Sequence, residues 1–497
     1  MKRFILYIMV LTMVMVVPQS CSDDYLDLFP TEQISDADVF TTTKNAWASI
    51  NGIHRFMFSQ FWGRQSHAGQ SGFMIGVDQM GEDIANLSRG TGWHFSLHNW
   101  IGHRVETNIE TFLPYRFYFQ IIANANMIIK NIDGAVGPLA EREQIKGQAL
   151  AYRGWAFHQL VQFYGRRYDW TNKPNTQLGV PLVLEPTLEG LPRATVEEVY
   201  TQINTDLNDA AVLLLGKTPP AANPKSHITH RVVLGMQARV ALTQGDWPRA
   251  AQLANQARQG AALMTSTSLT SGMNSRALPE FLWCSHVQED QTTFFFSFFA
   301  YMSWNFSSGW VRANPRRITN TLYNRLSDTD TRKLWWARDV ATARVIQANT
   351  AFTVAQHMSV KFAAVGAADS RGDVPYMRTA ELFLIEAEAL ARQGGQDVQA
   401  RQMLFNLVST RDPAYTLSVN SGDALIEEIM FHRRIELWGE GFRWFDLKRL
   451  NMDMDRRGAN HIEAVATTMF QPAGTNEWVF KIHHDELNAN PNVVQND

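Results

Sequence analysis

Two short segments of the sequence concentrate large aromatic side chains among small polar residues. Residues 93–100 read Trp-His-Phe-Ser-Leu-His-Asn-Trp, and residues 301–310 read Tyr-Met-Ser-Trp-Asn-Phe-Ser-Ser-Gly-Trp. Their rings lack the three- or four-residue spacing of a helix core. Indole rings beside amide and carboxylate groups suit sugars, which present apolar C–H faces rimmed by hydroxyl groups. The two segments thus offer Trp93, Trp100, Tyr301, Trp304 and Trp310 as rings for stacking on a sugar, with Asp78, Arg89, Asn99 and Asn305 as candidate polar partners.

Each of these rings also has a simpler interpretation, in which it packs beneath a long loop and holds that loop in place. Sequence spacing does not separate the two roles for any single ring. We therefore do not expect every one of the five to face a ligand.

Several patterns resemble catalytic or metal sites but lack a required element. Gly216-Lys217-Thr218 matches the end of a P-loop, but position 211 is Ala where that motif needs Gly. His94, His98 and His103 are spaced loosely like metal ligands, yet no Glu or Cys accompanies them as in zinc motifs. We expect no metal, no cofactor and no catalytic residue, and hence no enzyme.

The segment from Glu440 to Arg449 is the densest in charge and resembles an acid–base site. Helical spacing places Glu440, Arg443 and Trp444 on one side of a helix. A partly buried ion pair beside an aromatic anchor explains this pattern better than catalysis, because such networks are common in protein cores.

Two rival functions remain open on the sequence alone. A secreted glycoside hydrolase built on a helical toroid needs two carboxylates about 5–9.5 Å apart. Glu82 and Asp83 are the adjacent acids near the first aromatic segment, and neighbours in sequence rarely converge on one bond. A scaffold that binds proteins through helical repeats alone is the other rival, and it leaves the aromatic segments unexplained.

The composition excludes several classes of protein. Hydrophobic residues make up 45% of the 497 residues and charged residues 19%, which excludes a disordered or collagen-like chain. The 45 basic and 48 acidic residues nearly cancel, so we expect no nucleic-acid partner. Two cysteines cannot form a disulfide framework.

The N-terminus has the features of an export signal. Lys2 and Arg3 precede an apolar run over residues 4–17, which spans about 21 Å as a helix and falls short of the roughly 30 Å membrane core. We interpret residues 1–20 as a signal peptide. Cys21 follows directly and resembles the acylated cysteine of a bacterial lipobox, so we expect a palmitate-type lipid anchor there; a free cysteine behind an ordinary cleavage site is the alternative.

Helical periodicity dominates the rest of the chain. Residues 139–164 carry apolar residues on one face, and Thr195 with Glu198 forms a capping box. Paired helices joined by Gly-containing turns are expected over 229–244 with 247–259 and over 375–394 with 397–408, in the manner of tetratricopeptide repeats. The sequence predicts an all-α-dominated scaffold with long irregular insertions, chiefly 57–104 and 265–320, that form a ligand-binding face. We expect one compact unit over 21–497, with an N-terminal part 21–264 and a C-terminal part 265–497.

An ordered set of segments resembles the SusD/RagB family of outer-membrane nutrient-binding lipoproteins of Bacteroidota. The most specific is Arg434-Ile-Glu-Leu437 followed by Glu440-Gly-Phe-Arg-Trp-Phe-Asp-Leu-Lys-Arg449. Other matching segments are 21–30, 121–129, 147–157, 179–182, 192–195, 376–390 and 486–496. Trp438, Gly439 and Phe442 vary the late motif, and His483-His484 stands where the family commonly has prolines.

The resemblance implies a surface role. It implies a lipoprotein anchored in the outer membrane, facing outward, which binds oligosaccharides and delivers them to a SusC-like TonB-dependent transporter. Some branches of the family bind peptides instead, and this alternative stays open. The acids after Cys21, which are Asp23, Asp24, Asp27, Glu32 and Asp36, resemble the surface-export signal of such lipoproteins.

Overall fold

The computed structural model describes residues 39–220, 224–291 and 295–497. The predicted signal peptide, Cys21 and the acids that follow it lie outside the described residues. In the described ranges the α-helices, numbered α1 to α18 in chain order, are Thr43–Phe56, Gln70–Met80, Phe95–His98, Ile109–Asn131, Leu139–Tyr164, Val196–Leu214, His230–Thr243, Trp247–Arg258, Ser266–Leu269, Phe299–Met302, Gly309–Ala313, Asn320–Tyr323, Val340–Ile346, Thr379–Arg392, Asp397–Val408, Gly422–Glu436, Arg443–Leu450 and His484–Ala489.

Short strands and 3₁₀ turns connect these helices. The strands, β1 to β8, are Ile84–Ala85, Leu178–Pro181, Arg193–Thr195, Phe281–Cys284, Arg317–Ile318, Pro375–Arg378, Met454–Asp455 and Phe470–Gln471. They form antiparallel pairs β1–β5, β2–β3, β4–β6 and β7–β8. The 3₁₀ helices are Gly102–Arg104, Ile132–Gly134, Thr331–Trp335 and Asn476–Trp478. The all-α-dominated, repeat-based prediction is confirmed, and no helix of the described ranges is long and apolar enough to cross a bilayer.

Small residues set the spacing of the helical scaffold. α5 packs between α4 and α6, and Gly147 and Gly154 lie at its contact with α6. A Cβ atom on Gly147 would come 2.8 Å from Leu214 Cγ, and one on Gly154 would come 3.2 Å from Leu207 Cγ. The two helices approach this closely because neither glycine carries a side chain.

The predicted repeat pairs form, but the helix expected over 375–394 covers only Thr379–Arg392, because residues 375–378 pair as strand β6 with β4. α7 and α8 pack on α14 through buried alanines, and α14 packs on α15 and α16. The Thr229 side chain caps α7, and the predicted capping box of Thr195 and Glu198 begins α6. Since alanine leaves little volume between helices, these contacts hold the pairs at short distance.

A buried network of charges joins the C-terminal half of the scaffold. Glu436, at the end of α16, accepts from Arg332, Arg378 and Arg411 at 3.2, 3.1 and 3.2 Å. Glu280 also pairs with Arg378 and Arg411, while Glu440 pairs with Arg378 and Lys361. All seven side chains are at most 4% exposed. Burial alone would raise the pKa of Glu436, but the surrounding guanidinium groups hold it well below its ordinary value.

Replacing Glu436 tests this network. Glu436→Gln leaves three buried arginines short of a counter-charge, so we expect a loss of about 3–5 kcal/mol in the free energy of unfolding measured by urea denaturation at pH 7. The matched control is Glu427→Gln on the same helix, because its ion pair with Arg325 is exposed and should be worth at most about 1 kcal/mol.

The pH dependence of that loss has a definite sign. Because the folded pKa of Glu436 is depressed, its contribution is fully present above about pH 4.3, the unfolded value, and disappears as the pH falls below it. The difference between wild type and Glu436→Gln should therefore shrink in acid. Equal stability of the two proteins at pH 7 would contradict the network's role.

Candidate functional site

The structure brings together the two insertions that carry the aromatic segments. β1 pairs with β5, so that Ile84 lies opposite Ile318. Beside this pair, the Oδ1 atom of Asn314 accepts the backbone N–H groups of Leu87 and Ser88 at 2.9 and 3.3 Å. Asn314 is fully buried, so one amide fixes the loop around residue 90 against the loop around residue 310.

Three of the predicted rings form one stack across this junction. Trp93 and Trp310 lie nearly parallel with centroids 6.5 Å apart, and Trp310 and Tyr301 follow at 4.8 Å. Trp310 and Tyr301 are each only 2% exposed, whereas Trp93 is half-buried. The stack therefore reaches the surface at Trp93.

Two further residues fix the inner rings. The Arg316 guanidinium carbon lies 4.6 Å from the Tyr301 ring centroid and 4.5 Å from that of Trp310. Gly90, at φ +49°, lies against Trp310, and a Cβ atom there would come 2.4 Å from the indole. The loop thus needs glycine at this position, both for its backbone angle and for the space.

The other two predicted rings serve mainly to pack. Trp100 is buried against Trp478, and its indole N–H donates to the Met80 carbonyl at 3.0 Å. Trp304 is half-buried and packs on a small apolar cluster that includes Ala337 and Met358. Trp100 follows the alternative interpretation, in which the aromatic residue holds its loop, whereas Trp304, like Trp93, keeps part of its surface open.

The predicted polar partners also differ from one another in burial. Asp78 is buried and accepts the backbone N–H groups of Gly441, Phe442 and Arg443 at 2.7, 3.2 and 3.3 Å. Burial raises the pKa of Asp78 to about 7. This carboxylate therefore holds a backbone turn and does not face a ligand.

The three remaining polar residues differ in their partners and in their exposure. Asn99 accepts from the Thr467 backbone, and Asn305 exchanges two hydrogen bonds with the Ala364 backbone. Arg89, next to Gly90, is exposed. Of the nine predicted residues, Arg89 is therefore exposed and Trp93, Trp304 and Asn305 are half-buried, while the other five are buried.

Glu82 and Asp83, the two acids considered for hydrolysis, form ion pairs with arginine side chains. Glu82 and Asp83 are both buried, and Arg434 bonds to both carboxylates. Arg443 adds a second bond to Glu82, at 2.9 Å. Burial opposes ionisation of Glu82, but Coulombic attraction to Arg443 and Arg434 lowers its pKa. This pair anchors the first insertion to α16 and α17, and neither carboxylate is open to a substrate.

The histidines of the first segment do not converge on a common point. His98 contacts the Gln79 carbonyl and His103 the Glu477 carbonyl, while burial lowers the pKa of His94 to about 4. Among the described residues, one cluster of potential metal ligands has its ligand atoms within 4.8 Å of one another. It consists of His483, His484 and Asp485 and lies outside this site.

The residues that fix the stack have no signal in the sequence. Arg316 and Gly90 lie in irregular loops without periodicity, and their roles depend on contacts with rings distant in sequence. The aromatic density of the segments is the signal that locates the site, while the order of the rings from interior to surface comes from the fold.

Two tryptophans of the stack should respond differently to truncation. Trp310→Ala removes a buried ring and leaves a cavity beside Arg316, so we expect a loss of about 3–5 kcal/mol in the free energy of unfolding. Trp93→Ala, at the half-buried end of the same stack, should cost well under half as much. Urea denaturation of both variants checks this, and equal losses would contradict the interior-to-surface order of the rings.

Comparisons with known proteins agree with this fold. A model of the SusD family matches residues 294–497, and a model described as starch-binding associating with outer membrane matches residues 74–242. The SusD-like protein P2 of Formosa agariphila is 24% identical over an alignment of 538 residues that covers 100% of this chain and 99% of the relative.

Solved structures share the architecture over most of the chain. A SusD-like carbohydrate binding protein from Bacteroides vulgatus is 26% identical with a TM-score of 0.78, covering 91% of this chain and 98% of that one. A SusD superfamily protein from Bacteroides thetaiotaomicron has a TM-score of 0.78 at 22% identity, covering 92% and 100%. The two family models, the full-length relative and the shared fold confirm the resemblance, and the chain belongs to the SusD/RagB family of Bacteroidota.

Proposed function

We propose that this protein binds oligosaccharides at the outer cell surface and delivers them to a SusC-like TonB-dependent transporter. The observation that carries the proposal is the stack that ends at the surface in Trp93, in the loop that also carries the exposed Arg89. The description of the similar Bacteroides vulgatus protein as carbohydrate binding supports the ligand class. The protein acts as a binder and releases its ligand unchanged.

The rigid support behind Trp93 suits a sugar. Trp310, Tyr301 and Arg316 are already packed, so the outer indole is held in place before the ligand arrives. A sugar ring that stacks on Trp93 therefore loses little to ordering of the protein. Its hydroxyl groups exchange water for protein at about 1 kcal/mol each, which predicts weak binding of short fragments.

A glycan array combined with chromatography of the recovered glycans tests the ligand class. We expect retention of at least one oligosaccharide without shorter products. Shortened products would support a hydrolase, and retention of peptides but no glycan would support the peptide-binding alternative. Either result would contradict the proposal.

Calorimetry with the retained glycan then locates the site. Trp93→Ala should weaken binding about ten-fold, equivalent to about 1–2 kcal/mol for one stacking indole. The matched control is Trp170→Ala, because Trp170 is also half-buried and packs edge-on against Trp247 at 5.3 Å beside the helical repeats. Unchanged binding by Trp93→Ala, or an equal loss of affinity in both variants, would show that the glycan does not bind at this stack.

The anchor is tested separately. If Cys21 carries the acyl chains, Cys21→Ser should move the protein from the outer-membrane fraction to a soluble fraction, because the apolar run before it is too short to span the bilayer. Immunoblotting of fractions, with protease added to intact cells, provides the measurement. A variant that stays in the membrane and resists the protease would contradict a surface lipoprotein.

A further inference from the structure

A second aromatic surface lies outside the stack of Trp93. An open groove of about 870 Å³ runs between the loop after α1, the first half of α4, residues 181–191 and α18. Small-molecule sites occupy about 300–1,000 Å³, so the groove has room for several sugar units. None of the nine site residues predicted from the sequence lines this groove.

Trp62 is the most unusual residue of this groove. Its side chain is 51% exposed, which is more than that of any other tryptophan in the described part of the chain. Its backbone adopts φ +52°, in the left-handed region that bulky residues rarely enter. Strain of this kind persists where the surrounding structure holds a side chain in a required place. In this turn the strained backbone keeps the large apolar ring of Trp62 exposed to solvent.

Arg116 lies over one face of that ring. Its guanidinium carbon lies 4.3 Å from the Trp62 ring centroid, and Phe112, one helical turn earlier on α4, meets the ring edge-on at 5.1 Å. In the described ranges Arg116 has no ion pair and no hydrogen bond, and its guanidinium lies over the Trp62 and Phe112 rings. Its five N–H donors are therefore available to a ligand.

The facing wall supplies acceptors. Glu189, Asp485 and Glu486 line the groove, and the buried Tyr115 hydroxyl lies close to Glu486. These three carboxylates outnumber the Arg116 guanidinium among the side chains that line the groove. Asp485 also lies 3.5 Å from His483 Nδ1 and 3.0 Å from His484 Nε2, and burial lowers the pKa of His483. The excess negative charge disfavours ligands that carry carboxylate or sulfate groups.

We propose that this groove is a second binding site, for a neutral oligosaccharide. One sugar ring stacks its C–H face on the face of Trp62 that Arg116 leaves open, oxygens of a neighbouring sugar unit accept from Arg116, and hydroxyl groups donate to the carboxylates that line the groove. The ligand class rests on the proposed function, while the location rests on the geometry of the groove alone.

Fluorine NMR tests the site before the natural ligand is identified. The full mature chain is labelled with 5-fluorotryptophan, and the Trp62 and Trp93 resonances are assigned by their loss in Trp62→Phe and Trp93→Phe. The probes are maltohexaose, cellohexaose, laminarihexaose, xylohexaose and mannohexaose, each at millimolar concentration, and hexagalacturonate as the anionic probe. A parallel titration uses Arg116→Ala, with the exposed Arg338→Ala as the control.

The expected result is a saturable shift of the Trp62 resonance with at least one neutral probe. Hexagalacturonate should give none, the shift should persist in Trp93→Phe, and Arg116→Ala should weaken binding at least three-fold while Arg338→Ala leaves it unchanged.

A Trp62 resonance that moves with no probe, or only with hexagalacturonate, overturns the inference. Loss of transporter co-purification by Trp62→Ala with no Trp62 shift would assign the groove to protein docking instead. A Trp62 shift without any Trp93 shift would sustain this inference and contradict the site proposed above.

Discussion

The cluster around Glu436 is the interaction on which the positions of the other parts depend. It collects Glu280 before β4, Arg332 in a 3₁₀ turn, Arg378 at the end of β6 and Arg411 after α15. These groups come from segments that are widely separated in sequence. Burying so many charges is costly, and the cost is offset because each carboxylate meets two or three cations with hydrogen-bond geometry. The cluster therefore tolerates few rearrangements of the segments that supply it.

The first insertion is attached to the same helices by a second set of polar contacts. Asp78 accepts three backbone N–H groups at the start of α17, and Arg434 and Arg443 hold Glu82 and Asp83. Since β1 follows these acids directly, its pairing with β5 is fixed relative to α16 and α17. The charged motif that resembles an acid–base site in sequence is thus the anchor for both aromatic loops.

Sequence alone predicts the scaffold well and the site only in outline. α5 begins and ends at the predicted residues, and the Thr195 capping box forms, because periodicity and capping are local properties. The burial of Trp100 and Trp310 depends on segments distant in sequence, and no local pattern distinguishes a ring that stacks on a ligand from one that packs beneath a loop. Asp78 shows the same limit, since a carboxylate near an aromatic segment holds a backbone turn. Trp62 has no periodic or motif signal, because its exposure and backbone angle are properties of the folded chain.

The most direct test of the account is a crystal structure of the mature chain with the glycan retained on the array. The account predicts a sugar ring in van der Waals contact with the face of Trp93, with the Trp310 and Tyr301 rings and the Arg316 guanidinium unmoved. A sugar bound elsewhere with Trp93 still facing solvent, or a ligand that enters only after Trp310 and Tyr301 swing out of the interior, would contradict a preformed site at the junction of the two insertions.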